Sequence, residues 1–255
     1  METFIIENNN LSYIYSLLIV LFYETTKLNN LLDINIDSPL GIYLQEYIKY
    51  IFMLIHDEKS ILQKDIEIIK TLCIKLGWKI KSDSHINDFY IFLTNLLGNE
   101  QIEIKDNEKI ECFPIIQLSL PGNITHIKIS ALLHNWLHQN ANSYYINNVP
   151  YVIALSIDRS NNDDANVIIQ KRISSNKHDI INNNKWDFHA AICRNENDHH
   201  YVLLLSKTKW YIFDDLLTPC LREIRMDDQE ITSNLKRECV FILYKRPGNI
   251  FGSFK

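Results

Sequence analysis

The sequence predicts an α+β protein in which several helices come first and a sheet follows. From Leu11 to about Ile80, and again over residues 86–97, apolar residues recur every three to five positions, the spacing of one buried helix face. After Gly98 the pattern changes to alternating segments rich in β-branched residues, which is typical of strands. Because the helices precede the strands instead of alternating with them, we expect a helical lobe packed against an antiparallel sheet.

The first helix is predicted over the most apolar run of the chain, residues 11–23, LSYIYSLLIVLFY. This run is shorter than the roughly 20 residues that a helix needs to cross a bilayer. It follows Glu2 and Glu7, where a signal sequence would have basic residues. A helix buried in the core is therefore the preferred interpretation, and an uncleaved signal anchor is the alternative.

The later elements follow in order along the chain. A helix is predicted over residues 86–97, ended by Gly98, and residues 102–120 alternate around a turn at Asp106, which indicates a hairpin. A helical segment is then expected over Ile127–His138. The later strands are predicted at Tyr151–Ile157, Val167–Ile169, His189–Arg194, Tyr201–Ser206, Trp210–Phe213 and Cys239–Tyr244.

Length and charge narrow the class of protein. A chain of 255 residues can bury a sizeable core, and no linker rich in proline, glycine or serine divides it. We therefore expect one domain, with a helical lobe over residues 1–97 and a β-rich lobe over residues 98–255. Lys and Arg number 26 against 31 Asp and Glu, a formal net charge of −5, so a basic protein segment suits this chain better than nucleic acid or an anionic membrane.

The cysteines predict neither a disulfide framework nor a metal site. Five are present, an odd number, and no CxxC pair occurs among them. A reducing compartment, the cytoplasm or the nucleus, therefore fits best, and we expect no metal and no cofactor. The cysteines are Cys73, Cys112, Cys193, Cys220 and Cys239.

The segment from His189 to Leu221 contains a candidate catalytic pair. His200 stands at the start of one predicted strand, and Asp214 stands at the end of the next. Two strands joined by a short turn would bring this imidazole and this carboxylate together. A histidine base and its orienting carboxylate are commonly placed in this way. The alternative is an ordinary polar pair on a surface hairpin.

A hydrolytic site with this pair also needs a nucleophile. Nucleophiles commonly lie at a helix N-terminus, where the helix dipole and free N–H groups stabilise negative charge. Ser12 opens the first predicted helix and is the candidate. Its structural alternative is an N-cap residue.

Taken in chain order, several segments resemble the sequence boxes of the ubiquitin-specific protease family. The His box of that family contains Gly-His-Tyr, and its last box contains Trp-x-x-Phe-Asp/Asn-Asp, as in residues 199–201 and 210–215 here. The other segments that resemble family boxes are Asn10–Leu18 (the Cys box), Ile86–Leu97, Phe113–Pro121, Asn148–Arg159 and Trp186–Ile192.

The resemblance implies a papain-like cysteine-protease fold of the ubiquitin-specific protease type, with the helical lobe as thumb and the antiparallel β lobe as palm. The zinc-binding fingers of the family are expected to be reduced, because residues 98–112 and 139–148 are short and lack CxxC. The implied partner is the C-terminal tail of ubiquitin or of a ubiquitin-like protein. Asp88 and Tyr201 are the implied tail-binding residues.

The resemblance also implies a role for each candidate catalytic residue. Ser12 stands at the nucleophile position, where the family has cysteine. His200 is the implied general base, Asp214 the residue that orients it, and Asp215 an auxiliary polar residue. A serine hydroxyl is not acidic enough to form the thiolate–imidazolium pair of a cysteine protease, so Ser12 would have to act by concerted base catalysis.

The candidate oxyanion hole departs from the family's pattern. Asn8 and Asn10 are the candidates here, while the position of the family's asparagine holds Glu7, whose charge would oppose an oxyanion. Tyr15 and His199 also replace an asparagine and a glycine of the family. These parallel changes favour a natural serine at position 12 over an engineered one.

Other residues near the site are interpreted as structural. Cys193 could be a replacement nucleophile, but a small core residue is the preferred interpretation. His199 is expected to be a solvated neighbour of the site, and the remaining histidines of this group to be structural. They are His134, His138 and His189.

Two functions follow from these residues and from the resemblance. The leading one is a deubiquitinase-like protein that acts on, or at least binds, the C-terminal tail of ubiquitin or a ubiquitin-like modifier, with any cleavage after its C-terminal glycine. The alternative is a catalytically inactive pseudo-deubiquitinase that acts as a protein-binding scaffold. In either case we expect a monomer with no nucleic-acid partner and no membrane partner.

Overall fold

The computed structural model describes residues 11–23, 30–57, 59, 61–80, 86–98, 101–106, 109–140, 145–148, 150–174, 185–206, 208–225 and 229–247. Its α-helices are α1 Ser12–Phe22, α2 Pro39–His56, α3 Gln63–Lys75, α4 Ile86–Leu96, α5 Ile129–Asn140 and α6 Gln229–Glu238. Its strands are β1 Ile102–Asp106, β2 Lys109–Phe113, β3 Ile116–Ser119, β4 His126–Lys128, β5 Tyr145–Asn148, β6 Val152–Asp158, β7 Asn166–Ile168, β8 Arg172–Ser174, β9 Lys185–Arg194, β10 His200–Ser206, β11 Lys209–Phe213, β12 Leu221–Ile224 and β13 Cys239–Lys245.

Helix α1 lies inside the core. Every residue of Ser12–Phe22 is buried, and the helix packs on strands β9 and β10 and on helices α3 and α4. A helix that is apolar all round has this environment in a large domain, so the predicted core helix is confirmed. None of the described helices is both long enough and apolar enough to span a membrane.

The central sheet has eight strands and divides the molecule into two layers. Its order is β12-β11-β10-β9-β13-β6-β3, and β8 pairs with β9 outside this path. Alternate residues of each strand face opposite layers. On β10, Val202 and Leu204 pack with the helices α1 to α4, whereas Tyr201 and Leu203 pack with α5, α6 and the strands β4 and β7.

The sheet is mixed, which corrects the expected antiparallel arrangement. β3 pairs with β6 in parallel, and β4 pairs with β7 in parallel, while the other described pairs are antiparallel. Parallel neighbours need a long crossover connection, and the chain supplies one because β4, α5 and β5 lie between β3 and β6.

A three-stranded sheet stands where the fingers were expected to be reduced. Its order is β2-β1-β5, so residues 98–112 and 139–148 both contribute to it. The hairpin predicted around Asp106 is confirmed, since β1 and β2 pair antiparallel with Asp106 opposite Lys109. The strand β5 was missed because it lies in an asparagine-rich segment without an apolar pattern.

Candidate active site

Helix α1 and strand β10 bring Ser12 next to His200. α1 begins at Ser12 and packs along β10, which begins at His200. The two residues meet although 188 positions separate them in sequence. Leu11 occupies the N-cap position, so the alternative interpretation of Ser12 as the N-cap is wrong.

Two contacts join the side chain of Ser12 to His200. The backbone N–H of His200 donates to Ser12 Oγ at 3.0 Å, and Oγ lies 3.2 Å from Nδ1 of the His200 ring. When Nδ1 has no proton, the hydroxyl donates to it, as a nucleophile does to its base. The side chains are nearly closed to solvent, since Ser12 is 3% and His200 is 4% exposed.

Two tyrosines of α1 make different contacts near this pair. The ring of Tyr13 meets the ring of His200 edge to face, with 6.3 Å between centroids. Burial, with a smaller contribution from Cys73, raises the pKa of Tyr13 to about 12, so its phenol is neutral at physiological pH. Tyr15, which stands where the resembling family has asparagine, donates its hydroxyl to the carbonyl of Leu62 at 3.0 Å. It therefore bridges to the N-terminus of α3.

The carboxylate of Asp214 binds His199, which corrects the expected pairing with His200. Nε2 of His199 lies 2.9 Å from Asp214 Oδ1, and the backbone N–H of Leu216 donates to the same oxygen at 3.0 Å. The period of two along a strand explains the difference. Phe213 packs on the α1 side together with Val202, so the next residue, Asp214, points away from that side, as His199 does beside His200.

His199 is not a solvated neighbour, because its side chain is only 12% exposed. Its hydrogen bond to Asp214 raises the pKa of His199, against the opposing effect of burial. Burial alone would raise the pKa of Asp214, but the hydrogen bonds from His199 and from the N–H of Leu216 hold it below its usual value. The two groups therefore favour an ion pair.

The loop before β10 fixes the position of His199. The side-chain oxygen of Asn195 accepts hydrogen bonds from the N–H groups of Asn197 at 3.0 Å and His199 at 3.1 Å. Asp198 has a positive φ of 60°, a conformation that aspartate tolerates better than most residues. This compact turn orients the His199 backbone from its own loop.

Asp215 is the second carboxylate beside His199. Its Oδ1 lies 3.7 Å from His199 Nε2, and this oxygen is buried without a hydrogen-bond partner among the described residues. Burial raises the pKa of Asp215, with the charge of His199 acting in the opposite direction. Burial and the charge of Asp215 together raise the pKa of Tyr15. The charge of Asp215 therefore acts on both His199 and Tyr15.

The structure places the other predicted site residues apart from Ser12 and His200, or leaves them outside the described residues. Tyr201 faces the opposite layer of the sheet and donates its hydroxyl to Glu238 at 2.8 Å, so it does not line the same side as His200. Asp88 lies in the first turn of α4 and is partly exposed. Asn8 and Asn10, together with Glu7, lie outside the described residues.

Two thiols near the site, Cys193 and Cys220, have raised pKa values. Cys193 is fully buried on the Tyr201 side of the sheet, and burial raises its pKa well above the usual value. Cys220 lies closer to the carboxylates, because its carbonyl accepts the N–H of Asp214 at 2.8 Å. Burial raises the pKa of Cys220 as well. A thiol that stays protonated is a poor nucleophile, so neither replaces the cysteine of a protease.

A cavity of about 350 Å³ opens beside His200. Asn87 on α4 and Ser156 on β6 form part of its wall, and the Asn87 amide donates to the Ser156 hydroxyl at 2.9 Å. This hydrogen bond joins the helical lobe to the sheet. Asp158 and Asp163 line the same cavity and contribute carboxylates to it.

One group in the described part of the chain has the composition of a metal site, although the sequence predicted none. It consists of His199, Asp214 and Asp215, whose candidate ligand atoms lie within 4.8 Å of one another. His134 and His138 lie on α5, and the Nε2 of His189 is hydrogen-bonded to the carbonyl of Val20 at 3.0 Å.

No model of a protein family matches the sequence, and no curated protein sequence matches it. Solved structures do match. A chain of the SAGA DUB module of Ubp8, Sgf11, Sus1 and Sgf73, bound to monoubiquitin, has a TM-score of 0.65 at 12% identity, over 93% of this chain and 67% of that chain. The Saccharomyces cerevisiae PAN2 pseudoubiquitin-hydrolase has a TM-score of 0.59 at 11% identity, over 92% of this chain and 84% of that chain.

The chain has a ubiquitin-hydrolase-like fold. The mixture of helices and sheet expected from the sequence agrees with this fold. The PAN2 pseudoubiquitin-hydrolase-RNase module also matches, with a TM-score of 0.59 at 12% identity over 93% of this chain and 52% of that chain. The matching structures thus include a DUB module and pseudoubiquitin-hydrolases.

Proposed function

We propose that this protein is an inactive ubiquitin-hydrolase-like module that binds the C-terminal tail of ubiquitin or of a ubiquitin-like protein. The observation that supports this most is the separation of the site into two pairs. Ser12 contacts His200, while Asp214 is hydrogen-bonded to His199. The proposal includes an arrangement of the ubiquitin-specific protease type in one domain, with a thumb over residues 1–97, a palm over residues 98–255 and reduced fingers.

The separation of the two pairs argues against turnover. In a hydrolase the carboxylate holds the histidine in the correct tautomer and stabilises the imidazolium that forms, and losing that function costs about 10⁴ in kcat. Here Asp214 is hydrogen-bonded to His199 instead. The histidine that contacts the Ser12 hydroxyl is His200. The serine hydroxyl is also much less acidic than a thiol, so Ser12 and His200 cannot form a stable anion–imidazolium pair like that of a cysteine protease.

The cavity beside His200 supports binding of a peptide tail. It lies between the start of α4 and the end of β6, where the two lobes meet. Asp158 and Asp163 supply negative charge there, and Asp88 lies partly exposed in the first turn of α4.

Two arginines line the same cavity. Arg159 directs its N–H groups to backbone carbonyls, and Arg194 lies 3.6 Å from the carboxylate of Asp198. The carboxylates of Asp158 and Asp163 are therefore the groups that would bind a basic, extended tail.

A slow serine hydrolase is the second candidate. The contact of 3.2 Å between Ser12 Oγ and His200 Nδ1 favours it, because a neutral imidazole at this distance can take the hydroxyl proton. The cytoplasmic or nuclear location, the monomeric state and the lack of a nucleic-acid partner remain predictions. The last of these has no support from the matching structures, since one of them combines a pseudoubiquitin-hydrolase with an RNase.

The proposal is tested with ubiquitin that has a thiol-reactive electrophile at its C-terminus. The wild-type chain and the Ser12→Cys variant are incubated with it, and intact masses are recorded. We expect an adduct with Ser12→Cys alone, because a thiol next to His200 becomes nucleophilic while a serine hydroxyl does not. Ser16→Cys is the matched control, since Ser16 lies one turn further along α1, is fully buried and should give no adduct.

Two outcomes would contradict the proposal. Continuous release of an amine from a ubiquitin C-terminal amide by the wild-type chain would establish the serine hydrolase instead. Failure of Ser12→Cys to react, with its unfolding transition unchanged from the wild type, would mean that the cleft accepts no ubiquitin tail.

A further inference from the structure

We propose that His199, Asp214 and Asp215 form a binding site for one divalent transition-metal ion, with zinc as the expected metal. The three side chains meet where strands β10 and β11 end next to each other. The site lies beside the Ser12–His200 pair but does not include it. The proposal concerns these three side chains alone and holds whether or not the cleft binds a ubiquitin tail.

The distances among the three side chains suit a shared metal ion. The candidate ligand atoms all lie within 4.8 Å of one another, with 2.9 Å from His199 Nε2 to Asp214 Oδ1 and 3.7 Å from Nε2 to Asp215 Oδ1. Zinc binds imidazole nitrogen and carboxylate oxygen at about 2.0–2.2 Å, which places two ligands of a tetrahedral site roughly 3.4 Å apart. The observed separations lie on either side of this value.

An oxygen without a hydrogen-bond donor lies beside His199. Oδ1 of Asp215 is closed to solvent and accepts no hydrogen bond from the described residues, although the Asp215 side chain is 20% exposed, and it lies 3.7 Å from His199 Nε2. A buried carboxylate oxygen without a partner is costly, and such atoms in native structures often mark a bound ion or water. The single Nε2–H of His199 is already directed at Asp214.

The group also suits a divalent ion in charge, because it contains two carboxylates and one imidazole. With the metal bound, Nε2 of His199 loses its proton and coordinates the ion, and the two carboxylates then compensate its charge of +2. The hydrogen bond between His199 and Asp214 is replaced by two bonds to the same metal.

The donor set selects the kind of metal. One imidazole nitrogen and two carboxylate oxygens match zinc, manganese or iron, whereas calcium takes six to eight oxygens and magnesium keeps several waters. Three protein ligands leave a position for water in a tetrahedral zinc site. Since the Asn195 turn already orients the backbone of His199, binding demands little rearrangement of that residue.

Bound metal would hold the end of the β10–β11 hairpin together. It would also occupy Asp214, which is the carboxylate that a hydrolase of this fold would use to orient His200. The metal is thus a positioning element, and we assign it no chemical step.

The proposal is tested by titrating the full chain with zinc, after treatment with a chelator, in an isothermal calorimeter. We expect one zinc ion per chain in the wild type. His199→Ala and Asp215→Asn should each weaken zinc binding at least about tenfold. Mutating residues that only hydrogen-bond to metal ligands already lowers metal affinity by about 10–100-fold, and these two residues are proposed to bind the metal directly. The control is His138→Ala, an exposed histidine on α5, which should bind zinc as the wild type does.

A second measurement keeps the test valid if one variant folds poorly. Zinc should raise the unfolding temperature of the wild type and of His138→Ala, and should leave that of Asp214→Asn unchanged. The proposal is overturned if the wild type binds no zinc at micromolar concentrations. It is also overturned if zinc binding persists in the His199, Asp214 and Asp215 variants and disappears when the cysteines are alkylated.

Discussion

Ser12 and His200 determine what the site can do, because each satisfies the other. The hydroxyl accepts the backbone N–H of His200 and meets the Nδ1 of the same residue. A buried polar group with these partners is stable, and breaking the contacts to admit a substrate carbonyl would leave an N–H group and a ring nitrogen to be satisfied again. At this scale the site behaves as a structural contact between α1 and β10.

His189 is a second buried histidine, and it predicts a dependence of stability on pH. It is 1% exposed, its Nε2 donates to the carbonyl of Val20, and its Nδ1 has no partner among the described residues. Burial, with a smaller effect from Lys245, lowers the pKa of His189 to about 3. The native ring is therefore neutral at pH 5, whereas in the unfolded chain, with a pKa of about 6.5, it is protonated.

Protons therefore bind preferentially to the unfolded chain between pH 6.5 and pH 3, and stability falls as pH falls through this range. The contribution of His189 is about 1.4 kcal/mol per pH unit, or about 2 kcal/mol between pH 7.5 and pH 5.0. Urea unfolding at these two values checks this. His189→Gln should reduce the pH-dependent loss by about 2 kcal/mol, and the exposed control His138→Gln should keep the loss of the wild type. An unchanged pH dependence in His189→Gln would contradict the assignment.

The sequence located the catalytic segment but not the pairing within it. His199 and His200 are adjacent, as are Asp214 and Asp215, so the spacing alone allows more than one pair. The pairing depends on which face each residue takes at the end of its strand, and there the register no longer constrains the chain as it does inside the hairpin. The signal available beforehand was Phe213, since an apolar residue facing the core requires its neighbour to point away.

Among the elements, α1 shows how much of the core is concentrated in one helix. Ile14 is fully buried in the cluster that joins α1 to the central sheet. Ile14→Ala should lower the free energy of unfolding by about 2–5 kcal/mol, because it removes buried methylenes and leaves a cavity.

The matched control for Ile14 is Ile42→Ala on α2. Ile42 is 47% exposed, so its truncation should cost less than about 0.5 kcal/mol. Urea unfolding of the two variants checks the difference. Equal losses of unfolding free energy in the two variants would contradict the burial of Ile14 in the core.

The elements that the sequence predicted are those with a strong apolar pattern. Helices α1 and α4, the β10–β11 hairpin and strand β13 all bury regular apolar positions. Helix α6 was missed because it is short and mostly polar, with Leu235 as its one buried residue. The parallel pairing of β3 with β6 was missed as well, because it depends on a crossover and not on the strands themselves.

At the scale of the whole molecule, Arg159 joins segments that are distant in sequence. Its guanidinium donates to the carbonyls of Cys239 at 3.1 Å, Asp163 at 3.2 Å, Ala165 at 2.9 Å and Lys236 at 2.9 Å. The side chain follows β6, and its partners lie in the loop before β7, at the end of α6 and at the start of β13. The residue is 7% exposed, so these carbonyls depend on it for hydrogen bonds.

Arg159→Lys should therefore destabilise the protein. A lysine ammonium keeps the charge but has no planar fork with which to reach four carbonyls, and each buried acceptor left without a donor costs about 1–3 kcal/mol. We expect a loss of at least about 2 kcal/mol in urea unfolding. The control is Arg172→Lys, whose solvent-exposed ion pair with Asp187 should contribute little to stability. Wild-type stability in Arg159→Lys would contradict this role.

The proposed function requires that the ubiquitin-hydrolase-like fold of this chain bind a ubiquitin tail without cleaving it. The most direct measurement is the affinity of the full wild-type chain for ubiquitin that carries a C-terminal amide and for ubiquitin that lacks its C-terminal tail, by calorimetry, with the ubiquitin amide recovered afterwards for its mass. We expect saturable binding of intact ubiquitin and no change in its mass. The truncated form should bind at least about tenfold more weakly, which corresponds to a loss of about 1.4 kcal/mol of binding free energy. Equal affinity for the two forms, or no binding of either, would contradict the proposed function.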